Sequence, residues 1–582
     1  MKSASNVGSS LAGFRHGMVA APTSGAFSPH PHPERMEIIQ LRVARNELPW
    51  DNESNARYPE RVVSDSRNLL GDAGKMRALT SESCAPAAPS LFSLFPPVQF
   101  WCLGFSLIVV ALLVSCQVGP DYKRPQATTI PTAYTGATNV VATDSGTTNG
   151  WKVAQPQAQL PKGNWWEIFG DTELNDLESL ASAGNQQLKV AVARLDEARA
   201  QTDVTRAGLF PNVSLSGSYI RQRTSPNAPL STTGAAAGTG ATFNDFLVPV
   251  TLGYEVDLWG RVRRSVESAR AQAQASADDL ETIKLIIQAE VAVDYFTLRA
   301  LDAQRAVLNS SIQVFTKSLQ LTRNLRAGGA VSDLDVAQSL TVLKTTEAQL
   351  PAVTLQRAQF EHALALLIGQ PASTFHVSEH ALSTAPPQIP PGLPSELLER
   401  RPDVSAAERR MASANATIGV AKAAFFPTVQ LNGLAGFESL SAGTLFNWSS
   451  RLWAVGPSIT LPIFEGGKLR AGLRLAQATY EEMVASYRQS VLTAFSEVED
   501  NLAAQTLLAN QYAAESDALV AARKQLEIVN NQYRDGLITY LEVATAQSTA
   551  LNVEFAATAL RGQQLVAAVT LVKALGGSWQ AP

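Results

Sequence analysis

The sequence predicts an α+β membrane protein built as two copies of one unit, each a pair of strands followed by two long helices. Three observations carry that expectation. The chain repeats itself downstream of Cys116, with Leu209-Phe210-Pro211 returning as Phe425-Phe426-Pro427 and residues 329–336 returning as 536–543. Inside each copy the hydrophobic period changes from that of a helix to that of a strand and back. No run of 18 or more apolar residues follows Cys116, so a bilayer crossing there requires a closed β-barrel.

Residues 1–97 are rich in Ser, Pro and Ala without sustained periodicity and are expected to be disordered. Residues 98–114 (VQFWCLGFSLIVVALLV) form an apolar run ending at Ser115 and Cys116. The order Leu113-Val114-Ser115-Cys116 resembles a bacterial lipobox, so a signal peptide at about 98–115 and a covalent diacylglyceryl and N-acyl lipid on Cys116 are expected. Gln117, where an aspartate would retain a lipoprotein at the inner membrane, permits sorting outward. Roughly 115 residues precede the cysteine, against about 15–30 for a signal peptide. Either the start codon is placed too early, with Met76 between Lys75 and Arg77 as a true start, or the extension is cleaved.

Residues 116–183 are read as the lipidated N-terminal segment and waist, 184–394 as the first repeat, 395–577 as the second and 578–582 as a tail. Trp165-Trp166 suits packing on the waist or an interfacial pair. In each copy an Ala-, Arg- and Glu-rich helical stretch runs into Phe-Pro, where proline ends the helix. Val213, Leu215, Gly217 and Tyr219 then alternate with small polar residues, and Val248, Val250, Leu252, Tyr254 and Val256 alternate again. The second copy offers Val429, Leu431 and Gly433, then Trp453, Val455, Pro457, Ile459, Leu461 and Ile463. This is the pattern of a membrane strand, with Trp453 and Tyr219 as candidates for an aromatic girdle. Pro457 implies an edge, a bulge or a strand end.

Proline-free helical stretches follow at 261–326 and 468–534. At about 1.5 Å per residue each reaches roughly 100 Å, which calls for coiled-coil-like packing. Each breaks at glycine, at Gly328-Gly329 or Gly536, and returns as a second helix. Ser332 and Thr539 are the expected N-caps, with Asp335 and Glu542 at the carboxylate position of a capping box. Pro351 is expected to kink the first returning helix. The repeat offset falls from 216 at Phe-Pro to 207 at the glycine turns, so the first copy carries nine extra residues, assigned to the low-complexity run at 231–242. Four strands per chain cannot close a barrel, and an open sheet cannot sit in lipid. Three chains would supply twelve, enough to close a barrel in contact with lipid.

Other functions find little support. The formal net charge of −4 offers no footprint for nucleic acid. The cysteines are Cys84, Cys102 and Cys116, which leaves no disulfide or thiolate site downstream. His376 and His380 flank Glu379 at a spacing that suits a metal on a helix, but six prolines between 371 and 394 argue against a helix. No cofactor, metal or catalytic residue is expected, and no nucleophile–base pair is visible. Gly466-Gly467-Lys468 lacks the upstream glycine of a phosphate loop and reads as a strand-to-helix turn.

Several motifs in order resemble the TolC-like outer-membrane factors, in particular the efflux lipoprotein (NodT/OprM-like) branch. They are residues 116–122 (CQVGPDY), Trp165-Trp166 with Phe169-Gly170-Asp171, residues 392–404 (GLPSELLERRPDV) continuing through Ala414-Asn415-Ala416 to Phe426-Pro427, and Leu461-Pro462-Ile463-Phe464 before Gly466-Gly467. The resemblance spans roughly residues 116–577. It implies a trimer with a twelve-stranded outer-membrane barrel continued by a long periplasmic α-helical barrel. The implied partners are a periplasmic adaptor and an inner-membrane pump of the proton-driven RND type, and the implied function is an exit duct for small toxic compounds. A duct for protein secretion keeps the same fold, and a non-channel scaffold would have no use for duplicated hairpins.

The resemblance also implies a closed iris where the helix turns meet at the periplasmic tip. Tyr533 stands at the place of a tyrosine that bonds to neighbouring helices, Leu541 at an apolar constriction, and Glu542 at an acidic position. Asp333 and Asp335 belong to the corresponding turn of the first copy. Many members carry an aspartate three residues beyond Glu542; this chain has Thr545, so cation selectivity is not carried over by the resemblance.

Overall fold

The computed structural model describes residues 117–125, 134, 163–225, 240–380, 382, 384–387, 389 and 394–577. The upstream region, the signal run, Cys116, most of the 231–242 run and the tail lie outside the described residues.

A 3-10 turn at Trp165–Phe169 leads into α1 (Thr172–Gly184) and α2 (Gln186–Ala207). Asp171 starts α1 by accepting from the amides of Glu173 and Leu174, and Asn185 starts α2 by accepting from that of Leu188. Then come β1 (Asn212–Leu215), β2 (Ser218–Arg223), β3 (Thr242–Val256), α3 (Arg261–Ala327) and α4 (Asp333–Leu367). The second copy comprises a short α5 (Pro394–Arg400), α6 (Pro402–Ala423), β4 (Thr428–Ser439), β5 (Arg451–Thr460), α7 (Lys468–Arg534) and α8 (Tyr540–Ala574).

The duplication is kept to the residue. Both α2 and α6 have 22 residues, both α3 and α7 have 67, and both α4 and α8 have 35. The change of offset falls between the end of α2 and the start of α3, which confines the nine additional residues to the first hairpin. Pro351 lies inside α4, which continues through it despite the missing amide.

The sheet is antiparallel, in the order β1 and β2, then β3, β4 and β5. The expected four strands occupy four lanes, but the first lane is split into β1 and β2. The cause is Pro249 on β3, which has no amide to donate at that rung. Only the reverse bond survives there, from Ser216 N to Pro249 O at 3.1 Å. Register is unchanged across the gap, with Leu215 opposite Val250 and Ser218 opposite Leu247. Gly436 faces Pro249, and a Cβ there would lie 2.2 Å from the Val248 carbonyl oxygen. β5 stops at Thr460, short of the expected alternation through Ile463, and Pro457 sits within it opposite Leu431.

Register sorts the sheet into two chemically different faces. One face carries Val213, Leu215 and Tyr219, then Val248, Val250, Leu252 and Tyr254, then Leu431 and Phe437, then Trp453, Val455 and Ile459. The other is mostly small or polar, with Ser214, Ser218, Thr251, Gly253, Glu255, Gln430, Asn432, Ser458 and Thr460, and carries Ile220, Leu247, Leu434 and Leu452 among them. A sheet packed on a protein core would have its apolar face buried, yet here that face is largely exposed. An exposed apolar band over a polar reverse is what a barrel wall needs between lipid and water.

The main core lies along the middle of the long helices, around Tyr295, Phe296, Tyr487 and Leu571. Trp165, Trp166 and Phe169 are buried in it, with Trp165 Nε1 donating to Gln288 at 3.4 Å, so the tryptophan pair packs on the waist. Residues 117–124 cross α3, α6 and α7 as a strap. Val118 N donates to Trp259 O (3.1 Å), Arg264 pairs with Asp121 (2.8 Å), Tyr122 donates to Glu408 (3.2 Å) and Arg124 to the Tyr487 hydroxyl (3.0 Å). Residues 375–380 lie outside any helix, which removes the spacing argument for a metal. His376 instead meets Glu361 at 2.7 Å, and His380 lies 3.7 Å from Glu173.

Candidate functional site: the paired helix turns

The two helix turns meet at the end of the long helices far from the sheet. Each closes in the same way. Gly329 and Gly536 adopt positive φ (75° and 74°), where a Cβ would be strained. Ala330 N then reaches back to Leu325 O, and Leu537 N to Gln532 O, both at 2.9 Å. Gly329 N and Gly536 N bond the carbonyls of Arg326 and Tyr533, which completes a Schellman closure at both turns.

The caps that follow differ. Ser332 and Asp335 form a full capping box, with Ser332 N donating to Asp335 at 2.8 Å and Asp335 N to Ser332 Oγ at 3.4 Å. In the second copy the Thr539 hydroxyl is turned onto the Glu542 carboxylate and caps no amide. The free amide of Tyr540 is taken instead by Asp335 (3.4 Å), so the first turn helps to cap the second.

A further difference was not legible beforehand. Arg326 and Asp333 form a forked ion pair on the surface, at 2.7 and 2.9 Å. The residues 207 positions on are Tyr533 and Tyr540, which are buried and meet edge to face with centroids 5.4 Å apart. The same brace between a long helix and its returning helix is therefore ionic and wet in one copy, aromatic and dry in the other. Leu325, Val331, Val529, Ile538 and Val543 complete the small core around the tyrosines. The Tyr540 hydroxyl donates to Gln547 Oε1 (3.1 Å) and lies 3.2 Å from Ser318 Oγ, to which Gln547 Nε2 donates at 3.3 Å. This buried triangle joins α8 to α3. Tyr540 follows a cap and precedes the expected gate residues, so only its apolar neighbours hinted at burial.

The Tyr533 hydroxyl is buried beside Thr322 but lacks hydrogen-bond geometry. Burial raises its pKa; the Thr322 hydroxyl opposes that shift and the Asp335 charge reinforces it. Partial burial pushes the Asp335 carboxyl up, yet the bonds from Ser332 and from the Tyr540 amide outweigh this and hold it below the usual carboxylate range. Glu542 is likewise lowered by the Thr539 hydroxyl and its own amide, and Asp333 by Arg326. At neutral pH all three are anionic. Leu541, Glu542 and Thr545 share an exposed face of α8, with Thr545 Oγ1 bonded back to Leu541 O at 2.8 Å. Thus Tyr533 and Asp335 sit at the contact between turns, Asp333 braces the first copy, and Leu541, Glu542 and Thr545 face outward.

Nothing in this arrangement is a reaction centre. Among the described residues no group of three or more His, Cys, Asp and Glu side chains is placed to hold a metal. What the geometry offers is a packed cluster of helix ends, remote from a sheet suited to lipid.

Comparison with known proteins gives the same reading. The outer membrane efflux protein family matches residues 177–370 and 393–577. The probable efflux pump outer membrane protein TtgC of Pseudomonas putida is 33% identical over 487 residues, covering 81% of this chain and 95% of its own. Outer membrane protein OprJ of Pseudomonas aeruginosa is 32% identical over 486 residues, covering 82% and 96%. The solved outer-membrane channel OprN superposes with a TM-score of 0.71 at 29% identity, covering 80% of this chain and all of that one. The chain belongs to the outer membrane efflux protein family, and it is an exit duct of the Gram-negative outer membrane rather than an enzyme.

Proposed function

We propose that three copies of this chain form one duct, closed at rest by the paired helix turns, which passes small toxic compounds from the periplasm to the exterior. The observation that carries this is the sheet: four lanes with an apolar face, a polar face and an unpaired outer edge on both β1/β2 and β5 among the described residues. Such a sheet is stable in lipid only when its edges are paired, and three copies give twelve strands. Tyr533, Leu541, Glu542, Thr545, Asp333 and Asp335 form the gate. An adaptor in the periplasm and an RND-type pump in the inner membrane supply the opening force and the cargo. Relatives bear the names of antibiotic and toluene efflux components, which favours small molecules over proteins as cargo.

The strap supports lipidation of Cys116. Its first residue, Gln117, packs against Gly260 at the base of β3, where a Cβ on that glycine would lie 2.9 Å from the Gln117 side chain. Gln117, the first described residue after the lipobox cysteine, therefore lies at the sheet end of the long helices.

The test is complementation of a Gram-negative host that lacks its own outer-membrane efflux component. Expression of this chain with its neighbouring adaptor and pump is expected to raise resistance to organic solvents or antibiotics at least several-fold. Unchanged susceptibility, with the protein present in the outer membrane and the pump expressed, would overturn the efflux reading.

A further inference from the structure

The apolar face of the sheet changes character at the end farthest from the long helices. That end is made by the close of β2 and β4 and the start of β3 and β5. In the duct proposed above, whose helices stand in the periplasm, it is the end that meets the outer leaflet. Register places Arg221 opposite Asn244 and Arg223 opposite Thr242, on the same face as Tyr219, and Arg451 opposite Phe437. All three arginines therefore stand on the apolar face, and all three are exposed. At about 3.4 Å per residue, Arg221 and Arg223 lie about 7 and 14 Å beyond Tyr219 along β2. The carboxylates of this end, Asp245 and Glu438, fall on the reverse face, opposite Ile220 and Leu247. Among the described residues no carboxylate pairs with any of the three arginines, although one oxygen of Asp245 is buried without a partner.

Aromatic side chains line the same rim. Tyr219 stacks on Phe246 with centroids 4.6 Å apart. The β4–β5 connection folds back over the apolar face, where Phe446 meets Phe437 edge to face at 5.7 Å. Arg451 lies over Trp448, its guanidinium carbon 4.4 Å from the ring centroid and its Nη1 donating to Trp448 O at 2.9 Å. Phe446 and Trp448 are nevertheless 70% and 74% exposed.

We infer that this rim is a binding surface for the phosphorylated headgroups of outer-leaflet lipid, with Arg221, Arg223 and Arg451 receiving the phosphates and Phe446 and Trp448 lying against the upper acyl chains. The inference rests on the lipid-facing sheet of the proposed duct and names what the outer edge of that face holds. An arginine on such a wall lays its stem along apolar surface and keeps its head in the polar layer. Its planar guanidinium takes two phosphate oxygens through parallel N–H bonds, which suits a headgroup better than a point charge would. Stacking on Trp448 holds the Arg451 head in place and leaves its other N–H groups open to a ligand. Sorting by sign is the decisive feature. A rim that met only water would gain nothing from setting its cations on one face and its carboxylates on the other, whereas a carboxylate on the lipid side would repel phosphate. Lipid rather than free phosphate is the occupant, because the aromatic rings beside the cations need apolar cover.

The experiment titrates the detergent-solubilised assembly, purified from outer membranes, with bisphosphorylated lipid A. Native mass spectrometry reads both the bound lipid and the mass of the assembly. Wild type is expected to retain lipid A, and the Arg221→Gln/Arg223→Gln/Arg451→Gln variant to retain several-fold less. Wild type offered lipid A stripped of its phosphates should show the same loss, and Arg323→Gln, far along α3, should bind like wild type. Equal retention by wild type and the triple variant overturns the site, as does equal retention of the two lipids by wild type. Displacement of lipid A by inorganic phosphate at equal concentration overturns lipid as the occupant. Either result at a trimeric mass leaves the duct standing; a monomeric mass overturns the duct and the site with it. Where the triple variant fails to assemble, the comparison of the two lipids on wild type decides, and Arg451→Gln alone should lower retention of the phosphorylated lipid only.

Discussion

At the scale of single residues, the tip works by two chemically different braces at one structural position. The Arg326–Asp333 pair is exposed and screened, so its loss should cost little, as for surface ion pairs generally. Tyr540 is buried and its hydroxyl is bonded on both sides. Tyr540→Phe leaves Gln547 and Ser318 with an unsatisfied partner and should cost about 1–3 kcal/mol. Hydrogen exchange over residues 533–547 is the readout: strongly accelerated in Tyr540→Phe, nearly unchanged in Arg326→Ala. Tyr533 acts through its ring, because its hydroxyl makes no hydrogen bond of good geometry, so Tyr533→Phe should exchange like wild type and Tyr533→Ala should not. The pH dependence of the tip follows from Asp333, Asp335 and Glu542, all lowered in the folded chain. A carboxylate with a depressed pKa stabilises fully above its unfolded value and loses that contribution as pH falls through the folded value. Protection factors at the tip, with the intrinsic pH dependence of amide exchange divided out, should therefore be flat from about pH 5 to 8 and fall only in stronger acid. Glu178 behaves oppositely. It is buried in α1, no partner among the described residues meets its carboxylate oxygens, and burial raises its pKa to about 9. Folding then takes up a proton at neutral pH, so stability falls as pH rises from the ordinary glutamate value toward 9. Glu178→Gln should flatten that slope of Tm against pH, and a slope equal to wild type would refute the assignment.

At the scale of elements, the sheet is explained by which face meets lipid. Val455→Arg places a charge on the apolar face and should destabilise the assembly by about 2–4 kcal/mol if it lies near the bilayer midplane, whereas Ser458→Arg on the polar face should be tolerated and should alter conductance. Heat resistance of the assembly on gels separates the two. Much at this scale was legible in the sequence. Both long helices, both glycine turns and the starts of both returning helices fall within a residue or so of their expected places, since a proline-free stretch bounded by glycine leaves few alternatives, but the expected capping box forms only at Ser332 and not at Thr539. The split first strand was not legible, because the cause lies on another strand: Pro249 removes a rung that belongs to its partner. The early end of β5 was also missed, since Leu461 and Ile463 keep the alternating period after pairing has stopped. The aromatic brace was missed for a related reason. Tyr540 has no periodic signal of its own and is buried by α3, more than 200 residues away in sequence.

At the scale of the whole molecule, one duplicated unit yields two halves packed on each other, and the sheet keeps an unpaired edge on both sides among the described residues. The strap of residues 117–124 adds asymmetry, since it covers the inner junction at Gly260 while the equivalent Gly467 has nothing within 4 Å. Sheet and helix turns lie at opposite ends of the long helices, about 100 Å apart. Single-channel conductance in planar bilayers, with trimeric protein purified from outer membranes, tests the gated duct most directly. The predicted result is a small, stable conductance for wild type that rises several-fold in Tyr533→Ala or Tyr540→Phe and little in Arg326→Ala. A folded trimer that conducts in none of these forms would contradict it.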